Sequence, residues 1–538
     1  MSSRERMDSE DSSDSEDQRQ PGVLLNVFAT QYDVVSEVGK QVFRWKLSHR
    51  DNDKWDVCWI DTGMTPERLI RMKPYQKINH FPGMHSLARK NCLAGNLQDM
   101  QQALPGDYDF FPQTWLLPRD FGDLKKALGE KKTRTYIVKP EAECQGRGIF
   151  LTRELQAIPL GARYVVQRYI HKPYLIEGLK FDMRIYVLVT GCDPLRIFVH
   201  EEGLARFATE PYVPPFPSNL ADTCMHLTNY AINKDNSKFV YNTDAQRDDI
   251  GHKRSLRAVF QLLQAAGHDT DTLWTTICGI IVKTLCSAQP LLAHIYRSCQ
   301  PLDPSDSMCF EILGVDILLD HNLKPWLLEV NHSPSFTTDT PLDHSIKKKV
   351  IADALRLLDI SRDHRDSYNQ LIQDRFYQQV VREKKTSDCK LQLLRRQDRA
   401  VITRQHLETH CGGFRKLFPL SGSPYQLALE TAQRLFAVHS RSRMRKGEDK
   451  PKPKTVSRKP RSRQEPLQEE PRKRASRPPR VSSVSLDQSL PRAVVIKRLP
   501  EGSFVKPKIL EFGLEAREEK RRRGPLCVGW KIREMLRL

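Results

Sequence analysis

The sequence predicts a mixed α/β (α+β) fold rather than a helical bundle, on the basis of two observations. Short apolar runs typical of strands recur at Tyr136–Val138, Tyr164–Tyr169 and Ile185–Thr190, and Gly, Pro and charged turns separate them. Other segments carry apolar residues at helical spacing, among them Leu87–Leu104 and Phe121–Leu128. Both kinds of element in a chain of 538 residues indicate a mixed core, with room for two or three domains.

The first 20 residues differ in composition from the middle of the chain. They contain seven acidic residues, three arginines and six serines, with little apolar character. Such a segment buries too little apolar surface to fold, so we predict a disordered acidic tail at 1–20. Because this start also lacks the apolar region of a secretory signal, we expect a cytoplasmic protein.

Two folded segments are predicted to follow. A small N-terminal α/β domain at 21–130 begins with an apolar run at Val23–Val35 and a strand-like alternation at Trp55–Ile60. A larger segment at 131–345 holds the recurring strands and the long apolar stretch Thr275–Tyr296. Polar residues interrupt that stretch, so we interpret it as a buried helix rather than a membrane span.

A predicted hairpin near the end of the larger segment is the most informative feature. Two apolar runs, Ile312–Leu319 and Trp326–Val330, flank a turn-rich connection. Glu329 and Asn331 lie two apart on one strand and therefore share a face, and the paired strand can bring Asp316 beside them. Such oxygen ligands suit Mg²⁺ bound to a nucleotide. On spacing alone, a hairpin whose acids face water is an equal alternative.

Other residues are candidates for binding anions. Lys139 ends a strand, and the glycine-containing loop Gln145–Gly148 follows it, which is an arrangement that can cradle phosphate. Arg184 and Arg206 lie in or near further strands, and a buried arginine usually has a carboxylate or phosphate partner. Taken singly, these residues are better explained by a plain hairpin turn and by ordinary structural ion pairs.

Six motifs in order carry a resemblance to a known family. They are Lys139, QGRG, KFDMRIYVLV, EEGLARFAT, HLTNYAINK and LLDHNLKPWLLEVNHSPSF. From about Val23 to Leu358 the chain resembles the tubulin-tyrosine-ligase-like family, and INHFPGM at Ile78–Met84 resembles its polyglutamylase branch. The resemblance implies an ATP-grasp core and an ATP-dependent amide-forming ligase. Its expected reaction adds glutamate to glutamate side chains on the acidic C-terminal tails of tubulin.

The resemblance also implies roles for individual residues. Those expected to bind ATP are Lys139, Gln145, Gly146, Arg147, Gly148, Gln167, Arg168, Tyr169, Ile170, Lys180, Phe181, Asp182, Thr228 and Asn229. Those expected to bind Mg²⁺ are Asp316, Glu329 and Asn331. Those expected to bind the incoming glutamate are Arg206, Tyr230 and Lys253. Those expected to act in catalysis are Arg147, Arg184 and Arg206, with Arg147 facing the protein acceptor.

Three residues bear on whether glutamate chains are started or lengthened. Cys144, Gln145 and His332 match the residues of family members that elongate chains, so the resemblance favours elongation. One departure is Glu141–Glu143, which carries two acids where relatives usually have one acid or none. We expect the added negative charge to weaken ATP binding at the loop.

The expected mechanism needs no nucleophile from the protein. The γ-phosphoryl group of ATP would pass to the γ-carboxylate of an acceptor glutamate, and the amine of free glutamate would attack the acylphosphate. The sequence agrees with this, since it shows no Ser/His/Asp pattern.

The C-terminal part of the chain is basic. Residues 345–418 contain 17 Lys or Arg and 9 Asp or Glu, partly at helical spacing. Nucleic acid is the generic partner of such a surface, but no nucleic-acid motif accompanies it, so we consider nucleic acid a poor match. The resemblance makes tubulin tails the expected partner and predicts a basic helical microtubule-binding extension at 346–420. The remainder, 421–538, is predicted to be a largely disordered, basic, Pro-rich tail.

Two alternatives to a glutamate ligase stay open. The protein could be a catalytically silent binding protein of microtubules or cilia, or it could add glycine or tyrosine on the same fold. The intact Lys139, Asp316 and Glu329 favour activity, and Arg206 with Lys253 favours an acidic amino acid. We expect a monomer without a membrane, in the cytoplasm and on the cytoskeleton, including the cilium or basal body.

Overall fold

The computed structural model describes residues 22–129, 134–141, 143, 145–159, 161–244, 246–303, 308–381 and 411–448. All of them belong to one compact unit of the chain. Its strands are β1 Leu24–Ala29, β2 Lys46–Ser48, β3 Val57–Ile60, β4 Lys77–Ile78, β5 Thr114–Leu116, β6 Tyr136–Pro140, β7 Phe150–Thr152, β8 Tyr164–Arg168, β9 Leu175–Ile176, β10 Leu179–Cys192, β11 Leu195–Phe207, β12 Lys253–Ser255, β13 Glu311–Leu319, β14 Pro325–Asn331 and β15 Phe414–Phe418.

Helices separate these strands. They are α1 Asp33–Glu37, α2 Pro66–Arg71, α3 His85–Ala88, α4 Lys90–Ala103, α5 Phe121–Leu128, α6 Thr223–His226, α7 Tyr230–Asn233, α8 Leu256–Ala265, α9 Thr270–Cys299, α10 Pro341–Leu357, α11 Arg362–Val381 and α12 Gln426–Glu448. A π-helical turn at Val38–Val42 extends α1, and a 3₁₀ turn lies at Leu155–Ala157. The prediction of a mixed α/β fold is confirmed.

The N-terminal residues form a small parallel sheet in the order β2-β1-β3-β4. Parallel strands need crossover connections. Helix α1 and its π-helical turn lie between β1 and β2, and α2 lies between β3 and β4. Val34 and Val35 of α1 pack in one apolar cluster with Val350 and Ile351 of α10. This sheet therefore rests on the same core as the later part of the chain.

A seven-stranded antiparallel sheet forms the centre of the molecule, in the order β12-β11-β10-β13-β14. β10 also pairs with β9, and β11 also pairs with β15. β13 and β14 form the predicted hairpin, with Asp316 opposite Glu329. Leu313 and Val315 on one face of β13 pack in the same cluster as Ile277 and Ile281 of α9. The other face packs through Leu188 and Ile312 in the cluster that includes α10, and it carries polar residues around Arg184 and Asp316.

A third sheet, also antiparallel, has the order β5-β8-β6-β7. Trp115, Val138 and Val166 form part of its own apolar cluster. Its strands β6 and β8 and the polar face of the central sheet both line one cleft. Two antiparallel sheets around one cleft agree with the arrangement expected for an ATP-grasp core.

Helix α9 is long and apolar enough to cross a membrane by length and composition alone. However, 67% of its most apolar window is buried inside the protein. The predicted helix at Thr275–Tyr296 thus lies within a core helix, as the polar interruptions indicated.

The region after residue 410 differs both from the predicted helical extension at 346–420, which contains the strand β15, and from the predicted disordered tail. β15 pairs with Ile197–His200 of β11, and α12 begins at Gln426, beyond the predicted start of the tail at 421. Ala428 and Ala432 of α12 are buried in the same cluster as α9. A disordered tail from residue 421 is therefore wrong for 426–448, because regularly spaced apolar residues there pack on the core. The acidic tail at 1–20 and residues 449–538 lie outside the described residues.

Candidate nucleotide and metal site

Charged residues form two neighbouring rows across the polar part of the central sheet. Arg184 of β10 lies opposite Asp316 of β13, which lies opposite Glu329 of β14. One step along the strands, Asp182 of β10 lies opposite Arg206 of β11, which lies opposite Lys253 of β12. Residues two apart on a strand share a face, so both rows face the same cleft.

Asp316 is held by two arginines. Both its carboxylate oxygens accept hydrogen bonds from Arg184, and Arg206 Nη2 donates to Asp316 Oδ2 at 2.7 Å. Arg206 also pairs with Asp182, with Nε 2.9 Å from Asp182 Oδ1. Burial alone would raise the pKa of Asp316, but the two guanidinium groups hold it below its ordinary value. Asp316 is therefore ionised at neutral pH.

Arg184 and Arg206 thus have carboxylate partners, as their burial indicated. The guanidinium group of Arg184 binds both oxygens of Asp316, so Arg184 is placed to orient this proposed metal ligand. Arg206 bridges Asp182 and Asp316 and also lines the cleft. A direct catalytic role for either arginine stays a prediction.

The three residues expected to bind a metal converge. Asn331 Nδ2 lies 3.2 Å from Glu329 Oε1 and 3.5 Å from Asp316 Oδ2. Burial and the charge of Asp316 raise the pKa of Glu329, and a bound cation would relieve that repulsion. The Asn331 side-chain amide can present its oxygen instead by turning over. Two carboxylates and one amide fit Mg²⁺, which prefers few protein oxygens plus phosphate.

Two lysines face this cluster from other strands. Lys139 Nζ on β6 donates to Gln167 Oε1 at 2.9 Å, and Lys180 Nζ on β10 donates to the hydroxyl of Tyr169 at 3.0 Å and to the His226 carbonyl at 2.7 Å. Burial lowers the pKa of Lys139 to about 8 and that of Lys180 to about 7. An anion would restore their full charge.

Most residues predicted to bind ATP line the same cleft. The lining includes Lys139, Gln167, Arg168, Tyr169, Ile170, Lys180, Asp182, Thr228, Asn229, Asp316 and Glu329. Phe181 does not follow them, because it lies between Lys180 and Asp182 on the strand and points to the opposite face. There it stacks on Phe207 at a centroid distance of 5.3 Å within the apolar core. Its side chain therefore points away from the cleft, and a role of Phe181 in ATP binding stays a prediction for its backbone.

The predicted phosphate-binding loop is a turn at 145–148. Gly146 and Gly148 have φ of +81° and +64°, a backbone region that favours glycine. A Cβ on Gly146 would meet Ile232 Cδ1 at 2.5 Å and the Asn229 side chain at 3.2 Å. Arg147 is exposed and donates to Gln145 Oε1 at 3.2 Å. Cys144 lies outside the described residues.

Lys90, at the start of α4, was not among the predicted site residues. Its Nζ donates to the carbonyl of Glu143 at 2.7 Å, and its charge acts on Glu329 and Lys139. Next to it, Asn91 donates to Glu141 Oε1 at 2.6 Å. The N-terminal part of the chain therefore supplies a cation to the site and a partner for the unusual acid at Glu141. No local motif marked Lys90.

The residues expected to bind glutamate form a second cluster beside the first. Lys253 Nζ lies 3.7 Å from the centre of the Tyr230 ring and donates to Asp343 Oδ2 at 2.5 Å. Lys347 Nζ lies 3.0 Å from Asp343 Oδ1. Two buried lysines thus share one aspartate, and the charge of Asp339 also acts on Lys347 and Tyr230. Asp343 and Lys347 were also missed, since they lie on α10, far along the chain.

The comparisons with known proteins agree with this geometry. The model of the tubulin-tyrosine ligase family matches residues 68–367. The chain belongs to the tubulin-tyrosine ligase family. Members of this family are ATP-dependent ligases, and the matched range contains every residue described above as lining the cleft.

Several relatives in the family are named for one activity. The chain is 52% identical over 402 residues to a probable beta-tubulin polyglutamylase of Tetrahymena thermophila, covering 74% of this chain and 34% of the relative. It is 48% identical over 378 residues to tubulin polyglutamylase TTLL13 of Mus musculus, covering 69% and 46%. It is 43% identical over 426 residues to tubulin polyglutamylase TTLL6 of Homo sapiens, covering 78% and 47%. The chain thus spans about a third to a half of these relatives.

The lowered pKa values of the two lysines predict proton uptake when ATP binds. At pH 8 Lys180 is mostly neutral and Lys139 partly so, and the phosphate charge should raise both pKa values. Binding should therefore take up on the order of one proton, and affinity should fall as the pH rises from about 7 to 9. Titration calorimetry at pH 8 in buffers of different ionisation enthalpy measures this uptake.

The control for this experiment is Lys180→Met, which should reduce the uptake. Zero uptake or net proton release by the unmodified protein would contradict the assignment of these lysines to the nucleotide.

Proposed function

We propose that this protein is an ATP-dependent tubulin polyglutamylase. It adds glutamate to glutamate side chains on the acidic C-terminal tails of tubulin. The observation that carries the proposal is the convergence of Asp316, Glu329 and Asn331 with Lys139 and Lys180 on one cleft. The names of the relatives support the choice of tubulin and of glutamate.

ATP would occupy the cleft between the third sheet and the central sheet. Lys139, Lys180 and Lys90 are the cations that would offset the phosphate charge, and the 145–148 turn would cover the phosphates with backbone N–H groups. Mg²⁺ held by Asp316, Glu329 and Asn331 would offset the charge on the phosphate oxygens during transfer. Arg184 would keep Asp316 ionised and correctly oriented for that role.

The reaction has two steps. The acceptor γ-carboxylate would attack the γ-phosphorus of ATP, giving an acylphosphate and ADP. The uncharged amine of glutamate would then attack the acyl carbon, forming the amide bond and releasing phosphate and the amine proton. The protein residues contribute charge compensation and orientation, which make the second step effectively intramolecular. Arg147, exposed at the turn, would face the acceptor tail.

The second cluster would select the incoming amino acid. Lys253 and Lys347 would supply cations for the side-chain carboxylate of glutamate, a group that glycine and tyrosine lack. Tyr230 lies under Lys253, and Arg206 lies beside it in the strand register. We further propose that the enzyme prefers to elongate existing chains, because Cys144, Gln145 and His332 match the residues of family members that do so.

The direct test offers labelled glutamate, glycine and tyrosine separately with microtubules and ATP-Mg²⁺. We expect incorporation of glutamate, with more on tails that already carry a glutamate branch than on unmodified tails. Glu329→Gln should lower incorporation at least about a hundredfold, because it removes a carboxylate from the metal cluster.

The matched control is Asp123→Asn, which changes an exposed carboxylate that does not line the cleft and should keep full activity. Incorporation of glycine or tyrosine alone would refute the proposed substrate. No incorporation at all would favour a silent binding protein.

We also propose that basic residues after α10 hold the enzyme on microtubules in the cytoplasm, including those of the cilium or basal body. The net charge of +8 in residues 345–418, from 17 basic and 9 acidic residues, complements acidic tubulin tails. Removing everything after Leu358 would also remove β15 and α12, which pack on the core, so charge substitution is the cleaner test.

Replacing both Lys384 and Lys385 with Gln should therefore weaken microtubule pelleting and make it less sensitive to salt. The control pair, Lys125 and Lys126 to Gln on the exposed face of α5, changes the net charge equally and should bind normally. Equal pelleting by both variants would argue against a docking surface in this region.

A further inference from the structure

A second group of potential metal ligands lies outside the nucleotide site. It consists of His80, Glu311 and His332, whose ligand atoms all lie within 4.8 Å of one another. His80 follows β4, Glu311 begins β13, and His332 follows β14 directly. Glu311 is fully buried and His80 is 2% exposed. The segment after β4 and the β13–β14 hairpin therefore bring two imidazoles and one carboxylate together, with His332 partly exposed.

This group is separate from the proposed magnesium cluster. Glu311 and Asp316 are five residues apart on β13, whose pairing with β10 is regular between them. Because side chains alternate along a strand, an odd separation places the two carboxylates on opposite faces of the sheet. Glu311 shares the face of Leu313 and Val315, which packs toward α9.

The surroundings hold His80 in the orientation of a metal ligand. Its Nε2 lies 3.0 Å from the Ile60 carbonyl, which can only accept, so this nitrogen donates. Its Nδ1 then faces Glu311 Oε1 at 2.7 Å, while Glu311 Oε2 accepts the Phe81 N–H at 2.8 Å. Histidine ligands commonly donate their second N–H to a backbone carbonyl, which fixes the ring.

His332 supplies an independent sign of a missing partner. Its Nδ1 is buried and makes no hydrogen bond within the described residues, although it lies 3.8 Å from Glu311 Oε1. Asp61, whose charge acts on His80, likewise has a buried oxygen, Oδ1, without a hydrogen bond there. Buried polar atoms without partners are costly and usually mark an ion, a water or a function.

We propose that His80, Glu311 and His332 bind one transition-metal ion, with Zn²⁺ as the best match. Two imidazoles and one carboxylate form a ligand set typical of Zn²⁺, with one position open to solvent, whereas Mg²⁺ prefers oxygen ligands. The ion would bind His80 Nδ1 in place of its proton, which is released. The proposal does not depend on the ligase activity.

The two spacings that involve Glu311 require only small shifts. Tetrahedral Zn²⁺ with bonds of about 2.0–2.1 Å places neighbouring ligand atoms about 3.3 Å apart. The His80–Glu311 distance of 2.7 Å would open, and the His332–Glu311 distance of 3.8 Å would close, each by about half an ångström. The ion would join the N-terminal segment to both strands of the hairpin that carries Glu329 and Asn331.

The test uses the full chain after removal of metal by dialysis against a chelator. Competition with a chromophoric chelator should give one tight Zn²⁺ site, and Co²⁺ should give the visible absorption bands of a low-coordinate nitrogen and oxygen site. His332→Phe keeps an aromatic ring but removes both nitrogens, and should weaken Zn²⁺ binding at least tenfold. The control is His321→Ala in the exposed hairpin turn, which should bind as the unmodified protein does.

Thermal unfolding separates a lost ligand from a lost fold. Zn²⁺ should raise the unfolding temperature of the unmodified protein and of the control but not of His332→Phe, while all three unfold alike without metal. Equal Zn²⁺ affinity in His332→Phe and the unmodified protein would overturn the site. Absence of the Co²⁺ bands from the unmodified protein would also overturn it, independently of any variant.

Discussion

The buried ion network that joins Arg184 and Arg206 to Asp316 and Asp182 is the constraint on which the site depends. Carboxylates placed in the interior would take up protons unless cations offset the cost of desolvation. Here two arginines supply that charge, so Asp316 stays ionised beside Glu329. Breaking such a buried pair by removing one partner typically costs about 3–5 kcal/mol. The network therefore fixes both the local fold and the charge that a metal would meet.

The architecture places this network where a nucleotide can reach it. The register of β10 against β13 sets Arg184 opposite Asp316, and the third sheet brings Lys139 to the other side of the cleft. The N-terminal part adds Lys90 from α4, and α10 adds Asp343 beside Lys253. Each contribution comes from a different segment of the family domain. The site is thus a product of the whole fold and not of one motif.

Local sequence patterns predicted the parts of the site that depend only on residues close together in the sequence. The hairpin, the shared face of Glu329 and Asn331, and the glycine turn follow from the two-residue period of strands and from glycine chemistry. Pairings across the sheet were not predictable in this way, because Arg184 and Asp316 are 132 residues apart in sequence. The alternation that predicts a face does not say which strand lies next to it. Lys90, Asp343 and Lys347 were missed for the same reason, and α12 was missed because a strongly basic composition masked its apolar spacing.

Asp316, Glu329 and Asn331 are the proposed magnesium ligands of a nucleotide held between two sheets. The most direct measurement is a crystal structure with a non-hydrolysable ATP analogue and Mn²⁺ in place of Mg²⁺, with anomalous scattering used to locate the metal. We predict an anomalous peak about 2.0–2.4 Å from oxygens of these three residues and of the terminal phosphates. A nucleotide bound elsewhere, or a metal without contact to Asp316 and Glu329, would contradict the account.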